Sequence, residues 1–313
     1  MIEIAIIASL LIAFGIGSND ASNALGISIG AGVIKFKRAV FIFGILVFLG
    51  VLLNGDKVMK TVGKNLVETT PLTLSLSLLL SALLILFSNW RKLPLSTHQV
   101  IIGSLIGSGL ALELNINTIS LIKVVLSWLI SPIIACIISF FLYKLVVNFM
   151  SKLPFFRLEK LLRFFLLISS SLIAYNTGAN ELATVLGPVM YTGLKINKIL
   201  LYFIASSLIF LGAVLLSHRV IETVGKGITS LDPLSGFVAQ FGAGLCIFSF
   251  TLLGMPISTT YCIIGGITGV GLTKGFQTVK IDLIKKIGIN WIFTLTISIT
   301  LTFLLTKLAL NIL

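Results

Sequence analysis

Long apolar runs and short polar connections alternate along the whole chain. The runs predict helices over 2–17, 38–54, 72–89, 94–111 and 119–148, and again over 162–177, 197–217, 234–252, 256–273 and 284–310. Most approach the ~20 residues that cross a bilayer. Nearly every lysine and arginine falls between them. This pattern predicts an all-α, polytopic membrane protein.

The two sets of runs carry matching sequences. GSNDASNALG at 17–26 is echoed by GANELATVLG at 178–187, VLLNGDKVMKTVGK at 51–64 by VLLSHRVIETVGK at 214–226, and LPLSTHQVIIGSLIG at 93–107 by MPISTTYCIIGGITG at 255–269. The offset barely drifts: 180 − 19 = 161 for the asparagines, 256 − 94 = 162 for the prolines, 223 − 61 = 162 for the threonines and 291 − 128 = 163 for the tryptophans. Four separated blocks in register point to an internal duplication. The expected halves are residues 1–155 and 156–313, with KLPFFRLEKLLR at 152–163 as a linker lying along the membrane interface.

Each half reads as an apolar helix ending in an Asn-rich motif, a Gly-rich stretch, two helices, a Pro-Ser-Thr segment and a long helix. Pro94 and Pro256 precede small hydroxyl residues and then glycines, at Gly103 and Gly107 and at Gly265, Gly266 and Gly269. Interruptions at matched places favour short broken helices, expected as re-entrant hairpins over 94–111 and 256–273 lining a polar cavity. The count of four helices plus a hairpin per half leaves Gly26–Val33 and Gly187–Gly193 to be placed.

Composition agrees with a membrane solvent: 57% of residues are hydrophobic and 11% charged, against roughly 25% charged in soluble domains. The net charge of +13 is spread in small groups such as Lys35, Lys37, Arg38 and Lys285, Lys286. These read as interfacial anchors, so nucleic acid is not an expected partner. Cys136, Cys246 and Cys262 lie in apolar stretches without paired spacing, implying neither a disulfide nor a soft-metal site. The first apolar segment is read as a retained helix rather than a signal peptide.

Most acids lie in connections. Asp20 and Glu181 instead follow apolar helices directly and share the repeat offset, 181 − 20 = 161. Burying an unpaired carboxylate costs several kcal/mol, so two at equivalent positions imply function. Asn19, Asp20, Ser22 and Asn23 offer oxygen ligands on a backbone expected to be locally unwound, which suits a hard cation such as Na⁺. Asn180, Glu181 and Thr184 supply the second copy. A proton is the alternative coupling ion, and no other cofactor is expected.

Ser96 and Thr97, with Ser258 and Thr259, follow a proline expected in a helix first turn. Hydroxyls and free N–H groups there make an anion site needing no basic side chain. His98 and Thr260 are further candidate contacts. Cation ligands and anion donors in each half suggest coupled transport, in which each charge moved supplies about 2.3 kcal/mol per 100 mV.

These motifs resemble the inorganic phosphate transporter (PiT) family of cation-coupled phosphate permeases. Its pattern is a duplicated G-A-N-D-x-x-N-A element followed in each half by P-x-S-T-T-H, and the resemblance spans essentially the whole chain. It implies two inverted repeats with re-entrant hairpins, multi-pass insertion in the cell membrane, and alternating-access symport of inorganic phosphate with Na⁺ or H⁺. By position it places phosphate at Asp20, Asn23, Ser96, Thr97, His98, Ser258, Thr259 and Thr260, and the cation at Asn19, Asp20, Asn23, Asn180, Glu181 and Thr184, with Na⁺ on Asp20, Asn23, Asn180 and Glu181. Departures are Ser18 for alanine, GANE in the second element, and Thr184 for asparagine.

Sulfate is the alternative substrate, a cation-selective channel a more distant reading, and a homodimer is compatible with the pattern. An enzyme is not expected: Ser96 and His98, two apart, do not face each other on a helix. Phosphate at neutral pH keeps a proton to donate to Asp20 or Glu181, whereas sulfate has none.

Overall fold

A chain in hydrocarbon must satisfy its backbone internally, and helices do so segment by segment. The computed structural model describes residues 1–91, 95–152, 154–192, 196–228, 232–275 and 281–312, without the side chains of 155, 218–228, 281–287 and 312. In order the helices are α1 (Ile2–Gly30), α2 (Phe36–Asn54), α3 (Asp56–Lys60), α4 (Pro71–Arg91), α5 (Thr97–Ala111) and α6 (Thr118–Met150). They continue as α7 (Phe155–Asn176), α8 (Ala183–Met190), α9 (Lys198–Ile228), α10 (Pro233–Leu252), α11 (Thr259–Lys274) and α12 (Ile281–Ile312). Two π-helical turns, Thr61–Asn65 and Thr177–Leu182, follow α3 and α7. Among the described residues, 7 helices are long and apolar enough to cross a membrane. Their outward side chains, such as Phe41, Leu83, Phe141 and Phe203, are large and apolar.

Several expectations need correction. α1 does not end at residue 17: it runs through the Asn-rich motif to Gly30 without unwinding. Serine hydroxyls normally compete with helix backbone. Here Ser18 and Ser22 donate back to Gly15 O (3.0 Å) and Ser18 O (3.1 Å), so their polar groups are satisfied inside the helix. In the second half the motif does depart from α geometry, as the π turn Thr177–Leu182, and continues into α8. The expected interfacial linker is helical from Phe155 onward, with Glu159 and Arg163 pairing one turn apart at 3.0 Å.

The hairpins are larger than expected. Residues 97–111 and 259–274 are single unbroken helices, and the hairpins are α4–α5 and α10–α11, with Leu95 and Ser96 at one tip and Pro256, Ile257 and Ser258 at the other. Pro94 lies outside the described residues. At 1.5 Å per residue α5 and α11 are about 22–24 Å long, short of the ~30 Å hydrocarbon core. Their glycines serve close packing rather than breakage. A β-carbon on Gly103 would strike Ser298 Oγ of α12, and one on Gly265 the Pro132 carbonyl of α6.

Equivalent contacts recur at the repeat offset. Gly17 of α1 abuts the Ile209 carbonyl of α9, and Gly178 abuts the Val47 carbonyl of α2 (178 − 17 = 161; 209 − 47 = 162). Gly212 meets Phe14 O while Gly50 meets Tyr175 O (212 − 50 = 162; 175 − 14 = 161). Two pairs of equivalent residues touch each other: Trp128 and Trp291 edge to face at 6.4 Å, and Tyr261 Oη donating to Gln99 Oε1 at 3.5 Å.

Candidate substrate and ion site

α1, the π turn of 177–182 and the tips of both hairpins converge at the centre of this arrangement. Asp20 and Glu181 are 7% and 4% exposed. Among the described residues neither acid has a lysine or arginine partner. Asp20 Oδ2 and Glu181 Oε2 are buried without a hydrogen-bond partner. Two such carboxylates in a low-dielectric interior call for cations or protons, and the free oxygens are hard ligands of the kind Na⁺ takes.

Glu181 Oε1 accepts from Thr259 Oγ1 at 3.2 Å, and its Oε2 lies 3.5 Å from His98 Nδ1. Asn180, fully buried, ties the second hairpin tip to the π turn. Its amide donates to Thr251 Oγ1 (2.8 Å) and Met255 O (3.0 Å), and its Oδ1 accepts from the Ile257 N–H (3.0 Å) and faces His98 Nε2 at 2.9 Å. With Oδ1 so oriented, His98 Nε2 is the protonated ring nitrogen, assigned from the network. A neutral His98 then presents the Nδ1 lone pair to Glu181, a contact that a proton or a cation between them would complete.

Asn23 places its amide beside Asp20 and donates to Thr260 Oγ1 at 3.2 Å. Asn19 is exposed and donates to Asn89 Oδ1 at 2.6 Å. Ser96 and Ser258 are the N-cap residues of α5 and α11, yet neither makes a side-chain cap bond. The first-turn N–H groups that any helix leaves free thus stand beside Thr97 and Thr259, the first residues of the two helices. Buried Ser96 Oγ has no partner. Proline is not the first helical residue as expected: Pro256 lies two before the cap, its carbonyl accepting from Trp128 Nε1 at 2.6 Å.

The structure therefore brings Asp20, Asn23, His98, Asn180, Glu181, Thr259 and Thr260 into one linked cluster, with Ser96, Thr97 and Ser258 at the helix starts. Thr184 turns back to donate to Asn180 O at 2.9 Å. Asn180 has its oxygen engaged by the hairpin tip and His98, which fits a clamp better than a cation ligand.

Asn89 and Thr251 were not singled out from the sequence. Each receives the amide of its motif asparagine, and 251 − 89 = 162 would have flagged them as a pair. Gln240 of α10 was also missed: its amide donates to Asn23 O (3.0 Å) and Ala24 O (2.7 Å). Its repeat position, Leu78, is apolar, so duplication gave no signal.

Buried acids beside two helix starts, in a polytopic helical fold, define a membrane permease, not an enzyme. The chain belongs to the phosphate transporter family, whose profile matches residues 16–302. It is 37% identical to the "Putative phosphate permease" of Methanocaldococcus jannaschii over 98% of this chain and 97% of that one. It is 31% identical to the sulfate permease CysP of Bacillus subtilis over 98% of this chain and 88% of that one. A solved structure described as "The sodium-dependent phosphate transporter" superposes with a TM-score of 0.85 at 25% identity, covering 100% of this chain and 99% of that one. The protein is thus an integral, multi-pass membrane protein of this family.

Proposed function

We propose that the chain is a cation-coupled phosphate symporter built from two inverted repeats, 1–155 and 156–313, working by alternating access. The observation that carries this reading is the pair of buried acids, Asp20 and Glu181, lying beside two uncapped helix starts with no basic side chain among the described residues to neutralise them. Cations or protons entering on the acids make room electrostatically for an oxyanion at the hairpin tips. The helix N-termini and the hydroxyls of Ser96, Thr97, Ser258 and Thr259 then hold that oxyanion. Na⁺ is the favoured coupling ion, on the free carboxylate oxygens, in keeping with the name of the sodium-dependent structural relative.

Equivalent residues stand in opposite environments. Asn19 is exposed and Asn180 buried; Thr260 is exposed and His98 buried. Exchange of those environments is the alternating-access step.

Sulfate is the second reading, supported by the likeness to the Bacillus subtilis sulfate permease. A carboxylate oxygen left free by the coupling ion favours phosphate, because a protonated phosphate donates to a carboxylate and sulfate does not. The test is proteoliposome uptake of labelled phosphate and sulfate under separate Na⁺ and proton gradients. Phosphate accumulation under the Na⁺ gradient is expected; equal uptake without either gradient sinks symport, and sulfate uptake alone sinks the substrate assignment.

A further inference from the structure

Between the C-terminal part of α1, the start of α2 and the middle of α7 lies a cavity of about 280 Å³. Its walls include Leu25, Ile42, Phe43 and Ala174, its polar side is Ser170, and Arg38 lines it too. Lys35 and Lys37 precede Arg38, all three are exposed, and none forms an ion pair among the described residues. Ile42, 37% exposed, and Phe41, 60% exposed, put the mouth on the lipid-facing surface.

We propose that this cavity holds the acyl chain of an anionic phospholipid whose headgroup sits on Lys35, Lys37 and Arg38. Apolar walls open to lipid fit a hydrocarbon chain, and an unpaired basic cluster at the rim fits the phosphate of a headgroup. The occupant also touches the transport helix indirectly. Ser170 Oγ lies 2.6 Å from Ser28 Oγ of α1 and 3.5 Å from Gln240 Oε1, and Gln240 holds the carbonyls of Asn23 and Ala24.

The test is native mass spectrometry of the purified full chain titrated with phosphatidylglycerol or phosphatidylcholine. One tightly retained phosphatidylglycerol per chain, preferred over phosphatidylcholine, is expected. Removing three basic residues near a headgroup is worth about 100-fold in affinity, so the Lys35→Ala/Lys37→Ala/Arg38→Ala variant should lose retention by about that factor. Ile42→Trp fills the mouth without changing charge and should also abolish it, which separates a built site from general attraction to a basic surface. Val33→Trp, at another wall of the cavity, serves if Ile42→Trp does not fold. Equal retention of both lipids by the wild type, or undiminished retention when the cavity is filled, overturns the proposal.

Discussion

At the scale of the residue, the two acids differ in how they are held. Each acid has one oxygen with no hydrogen-bond partner, but Glu181 also receives Thr259 and faces His98, whereas Asp20 has Asn23 beside it. On the proposed reading, Asp20 is therefore the less encumbered cation ligand. Asp20→Asn is expected to lower cation-dependent phosphate uptake about 100-fold with expression intact, since losing one partner of a buried charge pair costs roughly 3 kcal/mol or more. Wild-type uptake by this variant in proteoliposomes would remove Asp20 from the site. His98 is a different case, because it joins the first hairpin tip to the π turn carrying Asn180 and Glu181. His98→Leu withdraws a buried donor and should lower the thermal midpoint in detergent by an amount equivalent to about 1–3 kcal/mol. His98→Gln, which keeps an N–H, should recover part of it.

At the scale of the element, close helix crossings depend on glycine. Gly17 and Gly178 sit against backbone carbonyls with no space for a β-carbon. Gly17→Ala and Gly178→Ala should therefore each destabilise the fold by about 1–3 kcal/mol, in similar measure, by thermal or denaturant melts. Gly32→Ala has open space at a φ of 66°, so its smaller cost reports backbone strain alone.

The second hairpin carries an ion pair at its base: Asp232, the N-cap of α10, lies 2.5 Å from Lys274 at the end of α11. Burial pushes the Asp232 carboxyl up, but Lys274 and the Ser235 N–H and hydroxyl outweigh it and hold it below the ordinary aspartate value. A depressed folded-state value means the stabilisation is present above the unfolded-state value and is lost as pH falls through the folded one. Hydrogen exchange at the base of the hairpin should accelerate on acidification across that window. Asp232→Asn should abolish the response; an unchanged acid response in that variant would assign it elsewhere.

At the scale of the whole molecule, equivalent residues in unequal environments are the main prediction. In a background lacking Cys136, Cys246 and Cys262, Asn19→Cys should react with a membrane-impermeant thiol reagent from one side of the bilayer in the state seen here. Asn180→Cys should react only from the other side, and only when the opposite state is populated. Labelling of both from the same side would rule out exchange between the two proposed halves.

The apolar runs, the register of the four duplicated blocks and the isolation of Asp20 and Glu181 were all legible in the chain. Each depends on residue type and spacing alone: hydrocarbon selects for apolar helices, and an unpaired acid there stands out. The continuation of α1 through GSNDASN was not legible, because serine and asparagine disfavour helix until their hydroxyls bond back to it and neighbouring helices receive their amides. The glycines of α5 and α11 likewise look like breakers until α12 and α6 are seen pressing against them.

By itself the sequence determined a membrane-embedded helical chain with each motif written twice and one acid in each copy of the Asn-rich motif. Only the tertiary structure decided that Asn180 is held by the second hairpin tip, that Asn89, Thr251 and Gln240 bond to the motif residues, and which motif asparagine is exposed. Those outcomes depend on which hydrogen-bond donors meet which acceptors between helices far apart in the chain, and local propensity carries no information about such pairings.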